Sequence, residues 1–133
     1  MLTLAADTHA RIVAHAYEGY PLEACGLLAG SPGSSVARAF YPCANAAASA
    51  RVYTVEPRDH LRAELDAEAH GWEILGVVHS HTHSEAYPSP TDVDAAPDPA
   101  WHYAIVSLKR DAPVVRSFRI VDGAITEEQI VRG

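Results

Sequence analysis

Three features of the sequence predict a mixed α+β fold, a β-sheet of about seven strands flanked by two main helices. The C-terminal third carries three apolar, β-branched runs, "WHYAIVSL", "VVRSFRIVDG" and "AITEEQIV", the last two joined at Asp122-Gly123, a two-residue hairpin signal. Two earlier segments space their apolar residues at helical intervals. Between them and the C-terminal strands lies "WEILGVVHSH", an apolar run of the kind a central strand shows. At 133 residues the chain is read as a single domain, 1–133, long enough to bury a real core.

Taken in order, "LTLA" is a short strand. Asp7 or Thr8 caps a helix running to about Glu18, with Ile12, Val13, Ala16 and Tyr17 on one face; Gly19 and Pro21 end it. "EACGLLAG", from Glu23 to Gly30, is a strand, "SPGSS" a turn, and "VARAFYPC" the partner strand of a hairpin. "NAAASA" is a loop, and the alternation in "RVYTVEP" predicts another strand. Pro57 suits the first turn of a second helix, which reaches about His70 and stops at Gly71. Leu61 and Leu65, one turn apart, are expected to face the core, and His60, Arg62, Glu64 and Asp66 to form its wet side. Trp72 and Trp101 are read as packing residues.

Composition narrows the function. The formal net charge is −7, and Lys109 is the single lysine among ten basic residues, so no basic cluster exists to track phosphates and nucleic acid is not an expected partner. No segment has the apolar length of a membrane span, and "MLTLAADTHA" lacks the shape of a signal peptide, which predicts a cytoplasmic protein without a membrane partner. Cys25 and Cys43 make no CxxC pair and are expected to be free, buried thiols.

The chemistry concentrates in "GVVHSHTHSEAYPSPTDVDAA", residues 76–96. On a strand ending at His81, His79 and His81 point to the same face, because side chains alternate with a period of two. Asp92 follows eleven residues later, after a turn stiffened by Pro88 and Pro90, with Ser89 as the cap of a short helix. Two histidines and one carboxylate, with a fourth position left to water, is the catalytic pattern for Zn²⁺. Glu23 is a candidate general base for that water, although spacing alone does not bring it near His79. His83 continues the alternation and could compete for the ion, as in a three-histidine site; the plainer reading makes it a loop residue. Asp94 is read as a solvated carboxylate.

These residues carry a resemblance. His79-Ser80-His81, seven residues, Ser89, two residues and Asp92, preceded by a distant glutamate in "EACGLLAG", resembles the motif of the JAMM (MPN-type) zinc metalloprotease family at each defining position. The resemblance extends over nearly the whole chain, including "YPCANAAASARVYTVEP" and "SFRIVDGAITEE", and is strongest toward a small actinobacterial branch in the segment "HSHT…EAYPS.TDV". Most members of the family have proline where this chain has Thr82; that branch shares the threonine.

The resemblance implies a JAMM/MPN-like mixed sheet, zinc held by His79, His81 and Asp92, Glu23 as general acid/base, and Ser89 as a donor to the oxyanion. It also implies the substrate: the amide after the C-terminal Gly-Gly of a small ubiquitin-like sulfur carrier of the CysO, ThiS or MoaD kind, with cysteine released. Two alternatives stand beside it, a broader isopeptidase removing ubiquitin-like modifiers and a non-catalytic MPN interaction module. The first calls for long insertions that this chain has no room for; the second predicts lost ligands, and all are present.

Overall fold

A computed structural model describes Met1–Gly133. Its main sheet has six strands in the order β3-β2-β4-β5-β6-β7. They are β2 (Cys25–Gly30), β3 (Ala39–Cys43), β4 (Glu73–His81), β5 (His102–Ser107), β6 (Val114–Val121) and β7 (Ala124–Glu128). All neighbours run antiparallel except β4 and β5. The short β1 (Leu2–Leu4) and β8 (Ile130–Arg132) pair in parallel as a separate ribbon, so the predicted strand "AITEEQIV" is two strands broken at Gln129. No helix is long and apolar enough to cross a membrane.

One helix covers each face of the sheet. α1 (Ala6–Gly19) buries Ile12 and Ala16 against Leu28, Phe40, Val78 and Val106, with Leu2 and Leu4 closing the same cluster. Its start departs from expectation: Ala5 is the N-cap and makes no side-chain bond, Asp7 lies in the first turn, and Tyr17 is exposed. α2 (Pro57–Ala69) covers the other face, where Ala63 joins Cys25, Leu27, Cys43, Val77 and Tyr103, and Trp101 packs against the edge of this cluster. Both cysteines are free and buried, as the composition suggested.

Leu61 and Leu65 do not face the core; they are 55% and 57% exposed. The buried stripe of α2 is Ala63 and Ala67 instead. Residues two apart on a helix lie on nearly opposite sides, so two small side chains that let the helix sit close to the sheet turn the leucines outward. "RVYTVEP" is not a strand either, apart from one bridge between Asn45 and Val55. Asn45 occupies the backbone groups that a neighbouring strand would use. Its Nδ2 donates to the carbonyl of Val52 at 3.0 Å, and its Oδ1 accepts from the N–H of Thr54 at 3.0 Å.

Glycine has a steric role in β2. A Cβ on Gly26 would sit 2.4 Å from the Phe40 ring and 2.7 Å from the carbonyl oxygen of Tyr41. The β2–β3 hairpin therefore closes only around a bare Cα at this position.

At the far end of the sheet from the histidines, the Glu128 side chain is only 5% exposed. It accepts from Ser117 Oγ at 2.8 Å, meets His102 Nδ1 at 2.7 Å and binds the Met1 amine at 2.7 Å. Burial alone would raise its pKa, but these partners hold it at about 2, below its ordinary 4.5. Because the folded-state pKa is depressed, the stabilisation is complete above the unfolded value and disappears as pH falls toward 2. Glu128→Gln is expected to cost about 2 kcal/mol at pH 7, after discounting for solvent screening, and nothing near pH 2. Urea unfolding at several pH values measures both.

Candidate metal centre

β4 ends in the site. Its alternation places Val77, His79 and His81 on the α2 side of the sheet and Val78 on the α1 side. The short helix α3 (Pro90–Asp94) then brings back Asp92. Ser89 caps it with a complete capping box: Ser89 Oγ accepts from the Asp92 N–H at 3.1 Å, while Asp92 Oδ2 accepts from the Ser89 N–H at 2.9 Å. In this arrangement the Ser89 hydroxyl hydrogen is not used by the cap, so capping and donation to a ligand are compatible.

Three donor atoms converge. His79 Nε2 lies 3.1 Å from His81 Nε2 and 3.2 Å from Asp92 Oδ2, and His81 Nε2 lies 3.0 Å from Asp92 Oδ2. All three side chains are buried. The second nitrogen of His81, Nδ1, is 2.7 Å from the carbonyl of Glu85, which can only accept, so Nδ1 carries the proton. Whenever the ring is neutral it therefore presents a lone pair at Nε2, directed at a carboxylate oxygen. Three acceptors this close repel one another unless a shared proton or a metal cation lies among them. Donors held tetrahedrally at about 2.0–2.1 Å from one ion would be about 3.3–3.4 Å apart, close to this triangle. The donor set fits a divalent metal.

The surroundings set the charge states. Burial acts to raise the Asp92 pKa, but bonds to His79, His81 and the Ser89 backbone outweigh it and hold the group far below the usual carboxylate range. Burial pulls His79 below its ordinary value. For His81 burial pulls the same way, yet its bonds to Asp92 and the Glu85 carbonyl leave it raised. The Glu23 carboxyl is pushed up to about 7, chiefly by burial; His81 pulls it down and Asp92 pushes it up.

Glu23 lies just before β2, and the sheet register explains how it reaches the site. Cys25 pairs with His79 across β2 and β4, so the same register carried two residues further puts Glu23 opposite His81. Ser80 locks this end: its Oγ accepts from the Ala24 N–H at 2.8 Å, and its N–H donates to the Ala24 carbonyl at 2.9 Å. Glu23 is only 4% exposed, and its Oε1 has no hydrogen-bond partner. His83 is exposed and turned toward Tyr20, outside the converging triad, while Asp94 is solvated as expected.

Two residues of the site were not foreseen. Asn45 donates to the Glu23 carbonyl at 3.0 Å and fixes the loop behind it; the only trace in the sequence is a lone asparagine among alanines. Tyr53 stacks on His79 with ring centroids 4.3 Å apart and planes at 19°. His79 Nδ1 has no partner, so this stacking orients the ring in place of the hydrogen bond that usually fixes a metal-binding imidazole. Tyr53→Ala is expected to weaken metal binding about tenfold and Tyr53→Phe to leave it nearly unchanged, in competition with a chromophoric chelator.

Known proteins share this architecture. Residues 5–121 match the family of prokaryotic homologs of the JAB domain. A CysO-cysteine peptidase from Mycobacterium tuberculosis (strain ATCC 25618 / H37Rv) is 40% identical over 131 residues, 98% of this chain and 90% of that protein. A desampylase from Haloferax volcanii is 38% identical over 111 residues, 80% of each chain. A solution structure from Desulfitobacterium hafniense superposes with a TM-score of 0.91 at 36% identity, covering 100% of this chain and 93% of that one. A JAB1/MPN domain protein from Archaeoglobus fulgidus shares the fold at a TM-score of 0.61 and 19% identity, covering 98% and 97%. With the match spanning nearly the whole sheet and every residue of the buried cluster, the chain belongs to the family of prokaryotic JAB-domain homologs.

Proposed function

We propose that the protein is a cytoplasmic zinc peptidase, a single JAMM domain over residues 1–133, that hydrolyses the amide after the C-terminal Gly-Gly of a small ubiquitin-like sulfur carrier and releases cysteine. The observation that carries this reading is the buried His79, His81, Asp92 triangle with the unpartnered Glu23 carboxyl beside it. The substrate class is supported by the 40% identity to a CysO-cysteine peptidase over almost the full chain.

Zinc, when bound, supplies Lewis acidity toward the scissile carbonyl and lowers the pKa of water toward neutrality. His79, His81 and Asp92 would hold it. Glu23 takes the proton of the attacking water and returns it to the departing amine as the C–N bond breaks, so that water is added across the amide and no further reactant is needed. Its pKa near neutrality suits a group that must both accept and give a proton. Ser89 donates its hydroxyl hydrogen to the oxygen on which negative charge develops. A cleft of about 270 Å³ lined by Tyr53, whose ring stacks on His79, and by Val55 and Trp101 suits an extended, side-chain-poor tail held by its backbone.

The 38% identity to a desampylase favours a second reading, a broader isopeptidase that removes a modifier from proteins. A three-histidine site is not supported, since His83 lies outside the cluster. Intact-mass spectrometry decides between the substrates. A Gly-Gly-ended carrier bearing a C-terminal cysteine is expected to lose one cysteine residue with the zinc-loaded protein and to stay intact with chelator. An unchanged carrier beside a cleaved lysine isopeptide would replace the first reading with the second.

A further inference from the structure

In the proposed reaction Glu23 gives its proton to the departing amine, so the departing residue lies on the Glu23 side of the metal cluster. In an α-amino acid the carboxylate carbon is two bonds from that nitrogen, so its oxygens lie within about 4 Å of it. A free carboxylate released here must therefore meet the wall next to Glu23.

Three segments build that wall. The Glu23 N–H donates to the Ser49 carbonyl at 2.8 Å, which ties the Glu23 segment to residues 49–51. Thr82 Oγ1 donates to the Ala50 carbonyl at 3.4 Å and lies 2.9 Å from His83 Nδ1. The Tyr20 hydroxyl, three residues before Glu23, lies 3.4 Å from His83 Nε2, with the two rings 6.0 Å apart. Arg51 and His83 are both exposed on this wall, and neither forms an ion pair with a carboxylate of the protein. The lysine and arginine near the 82–88 loop are already engaged: Glu85 binds Lys109 at 3.4 Å and Arg110 at 2.7 Å.

We propose that Arg51 and His83 bind the free α-carboxylate of the departing residue, so that the enzyme selects carrier adducts of a single amino acid. A guanidinium offers a planar donor fork matched to a carboxylate, and the exposed imidazole adds one N–H from the opposite segment by exchanging its Thr82 or its long Tyr20 contact for the ligand. This deepens the peptidase reading and rests on it. It also predicts selectivity against protein isopeptides, in which the departing amine is the end of a lysine side chain and no carboxylate lies beside it.

The test uses the zinc-loaded full chain and two carriers ending in Gly-Gly-Cys, one with a free C-terminal carboxylate and one with a carboxamide. The wild-type protein is expected to prefer the acid by about 10- to 100-fold in kcat/KM, the size of a charge-assisted hydrogen bond, mostly through KM. Arg51→Gln and His83→Gln are each expected to shrink this preference several-fold, and the double variant to bring it near one, with bound zinc and circular dichroism unchanged. Equal cleavage of acid and amide by the wild-type protein would overturn the carboxylate site while leaving the peptidase in place. A preference that survives in both variants would overturn the assignment to these residues. Cleavage of neither carrier would remove the proposed function and this inference with it.

Discussion

Glu23→Gln is expected to leave metal content unchanged and to lower kcat by about 100- to 10,000-fold, the range that a positioned general acid/base supplies. The substitution is close to isosteric. It also leaves no partner unsatisfied, because Glu23 Oε1 makes no hydrogen bond in the protein. The fold does not depend on this carboxyl group; its burial is a cost. Its pKa rises from 4.5 to about 7 on folding, so between these values the folded chain keeps a proton that the unfolded chain releases. The sign follows from the raised value: in the metal-free protein, the carboxyl group's contribution to stability falls as pH climbs through that window and stays low above it. Glu23→Gln removes this loss. At pH 8 the metal-free variant is therefore expected to unfold at a higher urea concentration than the wild-type protein, while its turnover of the carrier adduct nearly vanishes. Loss of zinc with loss of activity would mean that Glu23 serves as a ligand; retained activity would remove it from the reaction.

How much of this was legible in the sequence depends on distance along the chain. His79 and His81 could be placed on one face because a strand alternates with a period of two, and the structure keeps them there. The Ser89 cap and the position of Asp92 in its first turn were equally local, a matter of four residues. The position of Glu23 was not legible. It lies 56 residues before His79, and only the antiparallel register of β2 on β4 joins them, a property of the folded sheet that no local pattern encodes. Only the family resemblance supplied that link.

The failures have a common cause too. Leucine at helical spacing suggested a core stripe in α2, but close helix–sheet approach selected Ala63 and Ala67. Alternation in "RVYTVEP" suggested a strand, but the Asn45 side chain took over the ladder groups and left Tyr53 free to stack on His79. In both places a tertiary contact overrode a correct reading of local propensity.

Asp92→Ala is expected to weaken zinc binding by well over about 100-fold, while His83→Ala leaves it within about twofold, both measured by chelator competition and metal analysis of the purified proteins. Asp92 has three tasks. It is the only anion of the triad, it faces both His79 and His81, and its Oδ2 closes the capping box on Ser89. Truncation leaves two imidazole lone pairs 3.1 Å apart without the carboxylate that balances a divalent charge. It also costs α3 about 1 kcal/mol of capping, which loosens the turn that carries Ser89. Asp92→Asn separates these effects, since an amide oxygen can still accept from the Ser89 N–H. If charge dominates, Asn should behave like Ala in metal affinity but like the wild type in thermal stability of the metal-free protein. His83 faces Tyr20 and Thr82, so its removal changes neither the triad nor the cap. The reverse outcome, zinc lost with His83 and kept without Asp92, would mean that the binding site is the three-histidine one and that the carboxylate serves only the helix cap.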